Sequence, residues 1–171
     1  MPHKRRGRRW RSLKINQKYY NAIPAGGVNA SIADMAKWMR FLLGHNPDVM
    51  PETGLKNTFN PKISLPGKNK YYQKWDGHQE SYYAYGWRIH DFKENTTGES
   101  NRMIHHGGYV NNYRSEIAIF PQEDLGVTVL FNSPTKLARN VIPDLYKIIK
   151  EVMEMPEEEL LAEVSDIRRS R

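Results

Sequence analysis

The stretch from Arg114 to Phe131 most narrowly limits what this chain can fold into. Arg114-Ser115-Glu116-Ile117-Ala118-Ile119-Phe120 passes from three polar residues to an apolar run containing two isoleucines and a phenylalanine, and reads as a strand. Pro121-Gln122-Glu123-Asp124 reads as a turn, and Gly126-Val127-Thr128-Val129-Leu130-Phe131 is β-branched and largely apolar, as an interior strand would be. Asn132-Ser133-Pro134 then punctuates the start of a helix, with Ser133 suited to the N-cap and Pro134 to the first helical position. Leu137, Val141, Ile142, Leu145, Ile148, Ile149 and Val152 recur at helical spacing and give one apolar stripe to lay on the sheet. The fold class expected is α+β: an antiparallel sheet with a flanking C-terminal helix.

Upstream segments extend this picture. Asn101 to Gly108 reads as a strand ending in Ile104-His105-His106-Gly107-Gly108, with a turn over Tyr109 to Tyr113. Tyr82 to Phe92 reads as a further strand, with Tyr85, Trp87 and Ile89 on one face, joining the sheet beside His105. Ser31-Ile32-Ala33-Asp34 has capping-box character, Ile32, Met35, Met39, Leu42 and Leu43 form a stripe, and Gly44 ends that helix. Residues 45–81 carry Pro47, Pro51, Pro61 and Pro66 and predict a long connection with short irregular elements. Adjacent residues on a strand point to opposite faces, so His105 and His106 cannot both line one pocket or chelate one metal.

Composition removes several function classes. With 171 residues, 39% hydrophobic and 26% charged, the chain is long enough for one domain with a real core. The lack of cysteine excludes disulfides, thiol catalysis and cysteine-ligated metal. No run approaches membrane-spanning length, and the basic first residues are not followed by the apolar stretch of a signal peptide. The net charge of +7 belongs to one end: Lys4, Arg5, Arg6, Arg8, Arg9, Arg11, Lys14 and Lys18 precede the first acid, Asp34, leaving 18 basic against 19 acidic residues elsewhere, a balance of −1. Residues 1–21 are expected to form a basic, disordered arm, residues 22–153 the domain, and residues 154–171 a short appended helix with Glu157, Glu158 and Glu159 at its start. Lys4 to Arg11 with Trp10 is also a pattern able to bind nucleic acid through phosphate contacts, though nothing in the body supports that use.

Four pieces in order carry a resemblance: Pro24-Ala25-Gly26-Gly27-Val28 before the Ser31 helix, Tyr85-Gly86-Trp87, His105-His106-Gly107-Gly108, and Leu125 to Asn132. Over roughly Ala22 to Val152 the chain resembles the C-terminal part of the catalytic domain of serine β-lactamases, DD-peptidases and related esterases, closest to the class C type. The resemblance implies a partial β-lactamase/transpeptidase-like fold acting on a small acyl substrate, with no cofactor and no metal. It places His105-His106-Gly107 at the family's third motif, Lys-Thr-Gly or His-x-Gly. His105 would be the cleft-facing residue, Gly107 and Gly108 would let substrate approach the strand, and the Gly108 amide would donate to the developing oxyanion. His106, Tyr109 and Asn111 would line the substrate side.

The family's nucleophile lies in a Ser-x-x-Lys helix, and a Tyr-x-Asn loop supplies a second proton-handling group. Neither stands in its family position here. Ser133-Pro134-Thr135-Lys136 follows the last strand, Tyr109-Val110-Asn111 follows the His105 strand, and Tyr19-Tyr20-Asn21 abuts Pro24. The expectation is therefore a C-terminal portion that is inactive alone, completed by an N-terminal half or self-associating through a bare edge of the Gly126–Phe131 strand. Such enzymes usually work in the periplasm or outside the cell, while this chain shows no export signal. A non-catalytic binding or assembly module of the same fold is the alternative, and nucleic-acid binding through the arm is third.

Overall fold

A computed structural model describes residues 1–15, 22–93 and 98–169, with the side chains of residues 163–168 set aside. Its centre is a six-stranded, wholly antiparallel sheet in sequence order, β3 to β8. The strands are β3 (Ile63–Ser64), β4 (His78–Tyr83), β5 (Arg88–Lys93), β6 (Ser100–Val110), β7 (Tyr113–Phe120) and β8 (Leu125–Phe131). A shorter ribbon of β1 (His3–Arg6) and β2 (Arg9–Ser12) precedes them. The helices are α1 (Ile23–Gly26), α2 (Ile32–Leu42), α3 (Glu52–Phe59), α4 (Val141–Glu154) and α5 (Glu157–Arg169). The architecture is thus α+β, an antiparallel sheet with the helix α4 laid on one face, as expected.

The apolar run Ile117–Phe120 sends successive side chains to opposite faces of the sheet and divides the core in two. On one face Met103, Ala118, Phe120 and Val127 meet Ile142 and Leu145 of α4, together with Tyr72 and Trp75 from a single helical turn at Tyr71–Lys74. On the other face Ile89, Ile104, Ile117 and Ile119 meet Leu42 of α2 and the half-buried Met35 and Met39. Ile89, Ile119 and Ile142 lose essentially all solvent contact, each gaining roughly 1.5–3 kcal/mol from burial. The sheet is consequently sandwiched, and both faces of β6 are specified.

The α2 capping box forms as expected: the Ser31 hydroxyl accepts from the Asp34 amide, and the Asp34 carboxylate accepts from the Ser31 amide. Ile32, assigned to the buried stripe, is instead largely exposed, because it lies in the first turn ahead of the sheet. Three expectations shift further. Tyr82 to Phe92 is two strands, since Gly86 at φ +80° reverses the chain between β4 and β5. The connection over residues 45–81 contains a two-turn helix, α3, which starts directly after Pro51. Ser133 caps nothing: the chain stays irregular after β8, makes one tight turn at Leu137–Arg139, and enters α4 only at Val141, which leaves Leu137 exposed.

The basic arm is also corrected, for its first residues are folded. Lys4 pairs with Arg11, Arg5 with Trp10 and Arg6 with Arg9 across the β1–β2 ribbon. Gly7 at φ +61° opens the two-residue turn, the glycine position of a tight hairpin. The ribbon is anchored at its base, where Pro2 is buried and the His3 amide donates to the Asn132 carbonyl at the end of β8. Residues 16–21 of the arm lie outside the described residues.

Candidate active site

The β5–β6 ladder ends at Arg88 opposite His105, whereas the β6–β7 ladder runs on to Val110 opposite Tyr113. Among the described residues, the edge of His106–Val110 that faces away from β7 therefore has no strand partner. Peptide groups along a free edge can bond to an extended ligand. Two of the residues on that edge are Gly107 and Gly108, so ligand atoms can come close to the backbone there.

His105 does not face this edge. Its side chain is fully buried, with Nε2–H donating to Glu116 Oε2 at 2.8 Å and Trp75 edge-on at 5.3 Å between centroids. Burial pushes its pKa down, more strongly than the Glu116 bond and charge raise it, so the ring is neutral. The cleft-facing assignment of His105 is therefore corrected: strand alternation turns it under α4's side of the sheet, onto a carboxylate one strand away. Glu116 is itself completely buried, and its Oε1 accepts from Arg114 Nε and Nη2 at 2.9 and 2.7 Å. The same carboxylate covers Gly107, where an added Cβ would lie 2.5 Å from Oε2.

His106 occupies the opposite face, beside Ile117 in the ladder, and remains half-buried. Burial, then the charges of Arg88 and His105, lower its pKa, so this ring is neutral near pH 7. Gly108 stands opposite Ser115, whose Oγ would be 2.7 Å from a Cβ at that position. Tyr109 is exposed but belongs to the His105 face by alternation, so His106 and Tyr109 do not converge. Asn111 and Asn112, at φ +50° and +65°, form the two-residue turn into β7. That left-handed geometry, which asparagine tolerates, accounts for Asn111 without a ligand.

One polar constellation was not legible in the sequence. Ser81 Oγ lies 2.6 Å from His78 Nε2 and 2.9 Å from His90 Nδ1, bringing His78 and Ser81, read as part of an irregular connection, against a residue of the strand read over Tyr82 to Phe92. A serine between two imidazoles resembles an activated nucleophile, but Ser81 and His90 are both buried and no acyl group can reach them. The sole Ser-x-x-Lys of the chain, Ser133 to Lys136, is not helical, so its hydroxyl and amine are not set one turn apart. Tyr19-Tyr20-Asn21 lies outside the described residues.

A sheet sandwiched by helices, with a glycine-bearing inner strand left free along part of one edge, defines an α+β domain with an open strand edge inside its sheet. The chain belongs to the Beta-lactamase family, whose model matches residues 1–148 and so takes in the basic ribbon as well as the sheet and α4's first half. The family is one of serine acyl hydrolases. No curated protein matches the chain.

Proposed function

We propose that residues 100–116 form the third-motif wall of a serine acyl-hydrolase site. The observation that carries this reading is the unpaired His106–Val110 edge within a family-matched domain. On it, His106 takes the side-chain role that the resemblance had given to His105: a neutral imidazole that hydrogen-bonds a substrate carboxylate or a proton-relay group rather than a permanent cation. The Gly108 amide donates to the acyl oxygen as negative charge develops there, which is where a fixed dipole contributes most to catalysis. Gly107 and Gly108 make room for the Glu116 carboxylate and the Ser115 hydroxyl beside the edge, and His105 with Glu116 and Arg114 holds the strand from beneath.

Acyl transfer also needs a nucleophile beside a base, and Ser133 offers neither helix nor neighbouring base. In this reading a Ser-x-x-Lys helix outside these residues supplies it, and the chain alone is inactive. Intact-mass spectrometry after incubation with a penicillin and, separately, a fluorophosphonate tests this. The expected result is no adduct on the chain alone, and acylation of the supplied serine once a Ser-x-x-Lys partner half is added. An adduct at Ser133 would overturn the reading; no acylation in the reconstituted pair would favour a binding or assembly module of the same fold.

A further inference from the structure

Beneath the β4–β6 part of the sheet, on the side away from His106, three buried nitrogens lack a hydrogen-bond partner: Arg88 Nη1, His90 Nε2 and His105 Nδ1. They belong to neighbouring side chains. Arg88 is the ladder partner of His105, and His90 follows Arg88 by two residues on the same face of β5. The His90 and His105 rings lie 5.7 Å apart, and all three groups pack around one ring, with Tyr72 at 5.2 Å from the Arg88 guanidinium carbon, 4.9 Å from His90 and 6.4 Å from His105. Leaving such atoms unsatisfied in the interior is costly, and most so for a charged donor.

The bonding sense of two of the three atoms follows from their chemistry and partners. His105 gives its Nε2 proton to the Glu116 carboxylate, so Nδ1 of the neutral ring carries a lone pair and only accepts. Arg88 Nη1 only donates. His90 Nδ1 bonds to Ser81 Oγ, whose hydroxyl can either donate or accept, so His90 Nε2 takes whichever sense its partner requires. A metal ion is disfavoured by the Arg88 guanidinium, and an anion by the His105 lone pair. A water molecule matches the bonding sense of all three: its oxygen can accept from Arg88, one proton can go to His105 Nδ1, and its remaining lone pair or proton suits His90 Nε2. Three bonds is the usual number for an internal water.

We propose that Arg88, His90 and His105 hold one internal water molecule, and that it joins two hydrogen-bonded sets into a single chain. One set is His78–Ser81–His90, reaching a half-buried ring; the other is His105–Glu116–Arg114, directly beneath Gly107. The water then ties β4 and β5 to the end of β6 at which pairing with β5 stops, and makes Arg88 and His90 positioning residues for the glycine edge. The site itself depends only on the sheet and the Tyr71–Lys74 turn, so it stands whether or not the edge binds acyl substrates.

Crystallography of the full chain at high resolution, with and without a bromide soak, and ¹⁵N-histidine NMR test this together. The expected results are a density peak within hydrogen-bond distance of the three nitrogens without anomalous bromide signal, and a His105 tautomer protonated at Nε2. His90→Phe, checked for folding by circular dichroism, should shift the His105 Nδ1 resonance because the water loses a partner. An empty site, a bromide peak, a His105 protonated at Nδ1, or a Nδ1 resonance unmoved in folded His90→Phe would each overturn the proposal. Should His90→Phe not fold, the wild-type density and tautomer decide the matter by themselves.

Discussion

Glu116 occupies the space above Gly107 that a side chain would need: these two residues face each other across the β6–β7 ladder, and a Cβ on Gly107 would meet both carboxylate oxygens at 2.5 and 2.9 Å. Glycine at this position is thus required by a buried acid as much as by any ligand. Gly107→Ala should destabilise the chain by about 1–3 kcal/mol through overpacking, since Glu116 is held by Arg114 and His105 and cannot swing away freely. Gly108→Ala should cost less, its nearest obstacle being the small Ser115 hydroxyl. Urea unfolding midpoints of the two variants give the comparison, and equal losses would contradict it.

Glu116→Gln keeps the shape and removes the charge. Arg114 loses its carboxylate partner, while the buried His105 Nε2–H keeps at most a neutral acceptor. Breaking a buried pair from one side costs about 3–5 kcal/mol where both groups are sealed, and less here because Arg114 is partly exposed. A loss below about 1 kcal/mol in chemical denaturation would show that the cluster is not held by charge.

The histidines set a pH dependence of known sign. Burial above all, then the charges of His105, His78 and Arg88, drive the His90 pKa down to about 2, and burial likewise lowers those of His78, His105 and His106. Each folded-state value lies below the unfolded one near 6.5, so the unfolded chain binds more protons once the pH falls under that value. Stability should be at its full value above pH 6.5 and fall as the solution is acidified, with His90 alone contributing a slope approaching about 1.4 kcal/mol per pH unit. Denaturation midpoints between pH 8 and pH 5 would reveal this, and His90→Phe should flatten the slope.

Among the described residues, β8 pairs with β7 on one side only, and the basic ribbon reaches its end through the His3 amide donating to the Asn132 carbonyl. An apolar strand with an open edge recruits partners, and Leu130 stands substantially exposed on it. Self-association in the micromolar range is the expected outcome, with Leu130→Lys reducing it. A monomeric sedimentation profile for the unaltered chain would contradict this.

Local signals made several elements readable in advance. The apolar, isoleucine-rich run Ile117–Phe120 located β7, β-branched content located β8, and the Ser31–Asp34 capping box marked the start of α2. The histidine–glycine segment was likewise visible, because glycine pairs in a strand are rare enough to require a reason. Other elements carried weaker codes. Gly86 could signal a bulge or a reversal, and only the pairing of β4 with β5 selects the reversal. The arginines of β1 and β2 suggested a solvated tail, since nothing local announces that Pro2 and His3 will dock at the end of β8.

The sequence by itself determined an antiparallel sheet with helical cover and a strand bearing two histidines before two glycines, because strand-forming apolar runs and turn chemistry act over a few residues. It also determined that His105 and His106 must point apart. Which of them is sealed inside was decided only by tertiary structure. Glu116, eleven positions away, supplies the acceptor that His105 needs, and Tyr72 and Trp75 close over that face. Burial of a polar ring depends on partners brought from distant segments, and no local pattern encodes that.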